Sequence, residues 1–154
     1  MFLERYEYKK SGTFGQFYFH SDGPKGRIRK VVMYKYRGRE DDGFHYFNVG
    51  FGDFDPRSGK INDLTVTDNK DREKILATVA ATAVDFTRSM RKCKLSITGS
   101  TIARTRLYQM KIAAYYDYIS ELFEIEGETE KGWEKFERGK NYLGFRFKRI
   151  KFGI

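Results

Sequence analysis

The sequence predicts an α+β protein with a mixed, mostly antiparallel sheet and two main helices. Two stretches, 29–37 and 45–51, alternate apolar and polar residues as strands do. Over 71–91 and again over 102–120, apolar residues recur every three to four positions, which is typical of amphipathic helices. A strand, a helix and a second strand between hairpins give parallel as well as antiparallel pairs, so we expect a mixed sheet.

The strands are expected to pair mainly as hairpins. A polar turn separates 29–37 from 45–51, so these two strands should run antiparallel. The remaining predicted strands are short: 3–8 paired with 16–20, then 64–66, 94–98, 122–126, 133–137 and 142–150.

Each helix is expected to bury one apolar stripe against the sheet. Ser100 or Thr101 should cap the second helix, because a hydroxyl there accepts a hydrogen bond from a free backbone N–H group. The predicted stripe of the first helix is Ile75, Val79, Thr82 or Ala83, Phe86 and Met90, and that of the second is Leu107, Met110, Ala114 and Tyr118.

Length and charge indicate one basic domain spanning 1–154. A chain of 154 residues is long enough for a single core. Its net charge of +9 favours an anionic ligand, a polyanion or an acidic protein as partner. Basic residues concentrate at 25–39 and 146–151, and acidic residues at 40–42 and 117–137. This segregation indicates either a dipolar surface or faces neutralised by counterions.

The cysteine and histidine content predicts a cytoplasmic protein without a metal site. Cys93 is the only cysteine, so the chain forms no internal disulfide. One thiol with His20 and His45 does not supply a structural zinc site, and we interpret all three residues as structural. No apolar run approaches the ~20 residues that span a bilayer, so no membrane association is expected.

Two helix starts, at 67–73 and 98–106, place capping residues and cations after strand-like stretches. A helix N-terminus exposes unpaired N–H groups and a partial positive charge, which favour an anion. Arg104 and Arg106 lie two positions apart and point in different directions, so at most one of them joins a shared site. The alternative is that Arg104 pairs with an aspartate of the chain. The residues expected to bind the anion are Lys70, Arg72, Ser100, Thr101, Arg104 and Arg106.

Two residues are candidates for catalysis. Tyr108 on the second helix is a candidate general acid, and Asp53 or Asp55, just after a strand, is a candidate general base. The alternative for Tyr108 is a core position with a bonded hydroxyl group. The alternative for the aspartates is a role in forming a turn.

A nucleic-acid interface is a further alternative. Arg146, Lys148 and Tyr142 are expected to share one face of the last strand, and the stretch 27–35 adds further cations. A basic sheet face with aromatic rings contacts phosphates and stacks bases. No zinc-finger, helix-turn-helix or RNP motif accompanies this pattern.

The second helix start, Thr101-x-x-Arg104-x-x-Leu107-Tyr108, resembles the Asn-x-x-Ala-x-x-Leu-Tyr pattern of GNAT N-acetyltransferases. The order of elements from about residue 29 onward also resembles the later part of that fold. The resemblance implies a GNAT-like topology, acetyl-CoA or another acyl-CoA as cofactor, and Tyr108 as the acid that protonates the departing thiolate. In that family a glycine-containing loop holds the pyrophosphate, and the stretch 69–74 contains no glycine.

The strings at 71–80 and 98–108 resemble those of an uncharacterised bacterial domain family. That resemblance implies a bacterial origin and a single-domain architecture, and it carries no mechanism. We therefore expect a non-catalytic module, without a cofactor, that binds an anion or an acidic partner. The alternatives are an acyl-CoA-dependent N-acyltransferase and a nucleic-acid-binding or accessory interaction protein.

Overall fold

The computed structural model describes residues 4–62 and 67–152. The strand expected at 64–66 lies outside these residues. Within them the chain forms nine strands and three helices: β1 (Lys9–Lys10), β2 (Gln16–Gly23), β3 (Gly26–Arg39), β4 (His45–Asp55), β5 (Lys60–Ile61), α1 (Arg72–Ser89), β6 (Cys93–Ile97), α2 (Ile102–Ala114), α3 (Tyr116–Leu122), β7 (Phe123–Thr129), β8 (Gly132–Lys135) and β9 (Phe145–Arg149).

The strands form a mixed sheet. They hydrogen-bond in the order β1-β2-β3-β4-β6-β9-β7-β8, and β5 pairs with β4. β4 and β6 run parallel, with His45 opposite Cys93, and α1 lies in the crossover connection that a parallel pair needs. The pairs β1–β2, β2–β3, β4–β5, β6–β9, β7–β9 and β7–β8 are antiparallel. The predicted α+β fold with a mixed, mostly antiparallel sheet is therefore confirmed.

The chain forms two compact units, and the boundary between them falls within β3 and β4. The first unit contains Met1–Lys35 and Val49–Ser89, and the second contains Tyr36–Asn48 and Met90–Ile154. The single domain expected over 1–154 stays a prediction.

In the first unit, α1 packs on one face of the strands. The Tyr34 hydroxyl lies 2.7 Å from the Thr82 hydroxyl, and the Phe86 ring stacks on the Tyr34 ring with centroids 4.3 Å apart. Val79 and Phe86 of the predicted stripe are buried, and the ends of α1 fall within two residues of the prediction. The expected first hairpin is displaced along the chain, because β1 pairs Lys9, rather than a residue of 3–8, with Tyr18.

In the second unit, α2 and α3 pack on a core of Ile112, Ile125, Phe136, Tyr142 and Phe145. The single helix expected over 102–120 is interrupted at Tyr115, which has φ −109° and ψ 21°.

The stripe predicted for the second helix is wrong in part. Met110 is 66% exposed and Tyr118 is 48% exposed. The core is instead covered by Tyr108, Ile112, Tyr116 and Ile119. The error has a physical reason: large apolar side chains occur on more than one side of this helix, so periodicity alone does not select the buried side.

Candidate functional site

The strands of the first unit present two different faces. Side chains alternate along β2, so Phe17, Phe19 and Ser21 are buried while Tyr18 and His20 stay partly exposed on the opposite face. The register places residues of neighbouring strands beside them, because directly opposed residues of an antiparallel pair share a face. We call this face, opposite α1, the open face; its members include Lys9 beside Tyr18, Arg29 beside His20, and Arg27 beside Asp22.

Four cations lie on the open face without a carboxylate at ion-pairing distance among the described residues: Lys9, Arg27, Arg29 and Lys35. Some other cations of the first unit have acidic partners. Lys10 lies 3.0 Å from Asp85, and Lys74 lies 3.4 Å from Glu4. The four cations of the open face differ from these in keeping their positive charge without a carboxylate partner among the described residues.

Aromatic rings support one of these cations. The guanidinium carbon of Arg29 lies 4.6 Å from the centroid of the Tyr18 ring and 4.4 Å from that of Phe54. Such contacts hold a guanidinium group by cation–π attraction while leaving its N–H groups available for an acceptor. Arg29 is therefore positioned without being neutralised.

His20 reports the positive potential of the open face. Burial lowers the pKa of its imidazole below the ordinary value of 6.5, and the nearby charges of Arg27, Arg29 and Lys9 lower it further. The opposing effect of Asp22 is smaller. His20 is consequently neutral at pH 7, and the face carries its charge on lysine and arginine.

The turn that presents Arg27 is fixed by a residue just before α1. Asn69 is 1% exposed; its Oδ1 accepts a hydrogen bond of 2.7 Å from the Lys25 backbone N–H, and its Nδ2 donates one of 2.8 Å to the Gly26 carbonyl. A Cβ atom at Gly23 would lie 2.2 Å from the Asn69 carbonyl oxygen, so only glycine fits there. The amide of Asn69 thus holds the β2–β3 turn in one position.

The start of α1 carries its own carboxylate. Asp71 Oδ2 accepts hydrogen bonds of 2.6 Å from the Tyr6 hydroxyl and 2.5 Å from the Ser21 hydroxyl. Lys70 and Arg72 on either side are exposed. A carboxylate already lies at this helix terminus, and the stretch 69–74 has no glycine that would let a phosphate approach the backbone closely. The residues here therefore do not fit the pyrophosphate of acetyl-CoA.

The start of α2 belongs to the second unit. Thr101 is the cap, as predicted, and its hydroxyl accepts a 3.2 Å hydrogen bond from the Arg104 N–H. The Arg104 guanidinium donates a 2.8 Å hydrogen bond to the Ser100 hydroxyl, and Arg106 is half-buried. Lys70 and Arg72 lie in the first unit. The anion site shared by the two helix starts stays a prediction.

Both candidate catalytic residues are largely buried. Asp53 lies within β4, where it is 6% exposed, forms an ion pair with Lys30 and accepts a hydrogen bond of 3.1 Å from the Thr67 N–H. These contacts occupy the carboxylate and favour a structural role, and the role of Asp53 as a general base stays a prediction. Tyr108 packs against the core of the second unit; burial raises its pKa and the charge of Arg104 partly lowers it, so its phenol is neutral at pH 7.

The three residues expected to share a face of the last strand do not all do so. β9 begins at Phe145, and Arg146 and Lys148 lie on one face of it. Tyr142 precedes the strand, is 3% exposed and packs in the core, where its hydroxyl donates a 3.2 Å hydrogen bond to Glu134. Because Tyr142 lies outside the strand, the alternation of faces along 142–150 does not predict where its side chain points.

The sequence did not identify Lys9, Tyr18, His20, Phe54 and Asn69 as site residues. The alternation of Phe17 and Phe19 with Tyr18 and His20 was the signal in the sequence that could have identified this strand face.

Burial raises the pKa of Cys93 to about 12, which makes this thiol unreactive. Among residues 4–62 and 67–152, no His, Cys, Asp and Glu side chains form a group able to hold a metal ion, and no helix has the length and apolar character needed to cross a membrane.

Comparison with known proteins gives one match. The model of a family described as a family of unknown function, DUF6934, matches residues 3–150. Neither the curated proteins nor the solved structures yield a match. Because the matched segment covers nearly the whole sequence and runs through both compact units, the chain belongs to the family of unknown function DUF6934.

Proposed function

We propose that the protein is a non-catalytic binding module that holds single-stranded nucleic acid on the open face of its first unit. The observation that carries this proposal is the set of four cations, Lys9, Arg27, Arg29 and Lys35, that lack carboxylate partners among the described residues. Uncompensated cations on a strand face favour an anionic ligand.

The dimensions of the cationic row favour a polymer over a small anion. Arg27, Arg29 and Lys35 lie on one strand and point to the same side. Eight residues of strand separate the first from the last, a distance of about 26 Å at ~3.3 Å per residue. A single phosphate or carboxylate contacts only one end of such a row, whereas successive phosphates of a nucleic acid contact all of it.

The aromatic rings favour a single strand. Tyr18 and Phe54 lie beside Arg29, so rings and a planar guanidinium group occupy the middle of the open face. Unpaired bases stack on aromatic rings and on guanidinium planes, and these contacts do not depend on base identity. An acidic protein offers the charge but not the planar groups, and it is the competing outcome of the experiment below.

The test measures how binding of a fluorescent 15-nucleotide oligo(dT) depends on salt. Each phosphate neutralised on a single strand contributes a slope of about −0.7 in log affinity against log salt, so four cations predict a slope near −2.8. Arg27→Gln with Lys35→Gln should reduce the slope to about −1.4. The matched control, Lys10→Gln with Lys74→Gln, removes two cations that have acidic partners and should leave the slope nearly unchanged.

Two results would overturn the proposal. One is equal loss of affinity in the open-face variant and in the control, which would indicate general charge attraction. The other is tighter binding of a poly-glutamate peptide than of oligo(dT), which would identify an acidic protein as the partner.

A further inference from the structure

The turn between β3 and β4 carries three consecutive acids. We call residues 40–44 the acidic loop: Glu40, Asp41, Asp42, Gly43 and Phe44. The loop is closed by a hydrogen bond of 2.9 Å from the Glu40 N–H to the Phe44 carbonyl and one of 2.9 Å from the Gly43 N–H to the Glu40 carbonyl. It lies in the second unit, as do the residues that it contacts.

The acidic loop lies on cations of β6 and β9. The Lys94 ammonium group is 2.7 Å from Asp42 Oδ2 and 3.2 Å from Glu40 Oε1. The Arg146 guanidinium is 3.4 Å from Glu40 Oε2. Lys148 is directly opposite Lys94 in the register, and its ammonium group lies 4.6 Å from the centroid of the Phe44 ring. Three cations of neighbouring strands are thus gathered under one loop.

The acids form the outer layer of this cluster. The side chains of Lys94 and Arg146 are 10% exposed, whereas those of Glu40 and Asp42 are 38% and 43% exposed. Burial alone would lower the pKa of Lys94, but the hydrogen bonds that its ammonium group donates to Asp42 and Glu40 raise it. The more exposed side chains of Glu40 and Asp42 therefore cover Lys94 and Arg146, and these two cations become accessible to a ligand when the loop moves away.

We propose that the acidic loop imitates the phosphates of a nucleic acid and covers a second anion-binding site formed by Lys94, Arg146 and Lys148. The ligand is the same single-stranded polymer as in the proposed function, on which this identification rests. Its phosphates replace Glu40 and Asp42 on Lys94. Arg146 keeps a second partner in Glu126, at 2.8 Å, so it remains in place when Glu40 leaves.

The geometry of the contacts supports displacement. The side chains of Glu40 and Asp42 are partly exposed, so water competes for their carboxylates and weakens their hold on the cations. Glu40 and Asp42 reach Lys94 from a five-residue segment, so a small movement of one loop releases both contacts. The Trp133 ring, 4.5 Å from the Arg146 guanidinium carbon, supplies a planar surface beside the cations under the loop.

The experiment compares a double variant, which carries both Glu40→Gln and Asp42→Asn, with a control protein that carries Asp41→Asn. Asp41 is exposed, lies in the same loop and forms no ion pair with another described residue, so its replacement measures the general effect of removing negative charge. All proteins carry Arg27→Gln and Lys35→Gln to weaken the first face. We expect the double variant to bind oligo(dT) at least tenfold more tightly than the Asp41→Asn protein. A further Lys148→Gln change should remove most of the gain.

The outcomes separate the two proposals. If the unaltered protein does not bind oligo(dT) but the loop variant does, the proposed function fails and the second site stands. Equal affinities of the loop variant and the Asp41→Asn protein overturn the second site, whatever the first face does. Should the double variant fail to fold, Asp42→Asn alone, whose side chain is nearly half exposed, is expected to bind about threefold more tightly than Asp41→Asn; no difference again overturns the second site.

Discussion

The buried ion pair between Lys30 and Asp53 permits a quantitative test of the first unit. Their side chains are 5% and 8% exposed, and Lys30 also donates to the Thr67 carbonyl. Lys30→Met fits an aliphatic chain of similar length into the same space but leaves Asp53 as a buried charge without its cation. Removing one member of a buried pair costs about 3–5 kcal/mol.

The expected change in melting temperature follows from the size of the chain. At about 2–4 °C per kcal/mol for a protein of this length, Lys30→Met should lower the midpoint by about 6–20 °C. Urea denaturation followed by circular dichroism gives the free energy directly. The control is Lys10→Met, because Lys10 is 62% exposed beside Asp85 and its loss should cost about 1 kcal/mol or less.

A comparable cost for the two variants would refute the reasoning. It would mean that water reaches Asp53 in the folded protein and that this carboxylate is available to act as a base. A cost several times larger for Lys30→Met would instead support a structural role for Asp53.

Two further predictions concern stability. Because the pKa of His20 is lowered on folding, the unfolded chain binds more protons below pH 6.5, so stability should fall from pH 7.5 to pH 5.5, and His20→Gln should weaken this decline in urea titrations. Gly127→Ala would place a Cβ atom 2.4 Å from the buried Tyr142 ring, so we expect a loss of about 1–3 kcal/mol by calorimetry. Gly12→Ala, with open space around it, should be nearly neutral.

Patterns within single elements predicted much of the fold. The helical period over 71–91 identified α1 because Val79, Thr82 and Phe86 recur on one side of the segment, and the structure buries that side. Alternation identified the strands around Val32 and Phe47 for the same reason. The segment 102–120 failed this test, since Met110 and Tyr118 carry large side chains that are mainly hydrocarbon, yet both are exposed while Ile112 is buried. Periodicity shows that a stripe exists, and tertiary packing decides which stripe is buried.

The candidate site depended on contacts between elements. Arg29 meets Tyr18 and Phe54 because the registers of neighbouring strands bring the three side chains together, and a shift of one residue would separate them. No local pattern specifies such a register. The cations of 27–35 were visible in the sequence, but which of them lack an ion pair among the described residues was a property of the folded sheet.

The amide of Asn69 links two segments that lie more than forty residues apart in sequence. Since it fixes the backbone of the β2–β3 turn, the position of Arg27 is determined partly by a buried residue just before α1. Under the proposed function, selection for a different ligand at the turn therefore acts on residue 69 as well. Among members of the family, substitutions at 23–26 should covary with substitutions at 69. A combinatorial library built to alter binding would need to diversify both segments together.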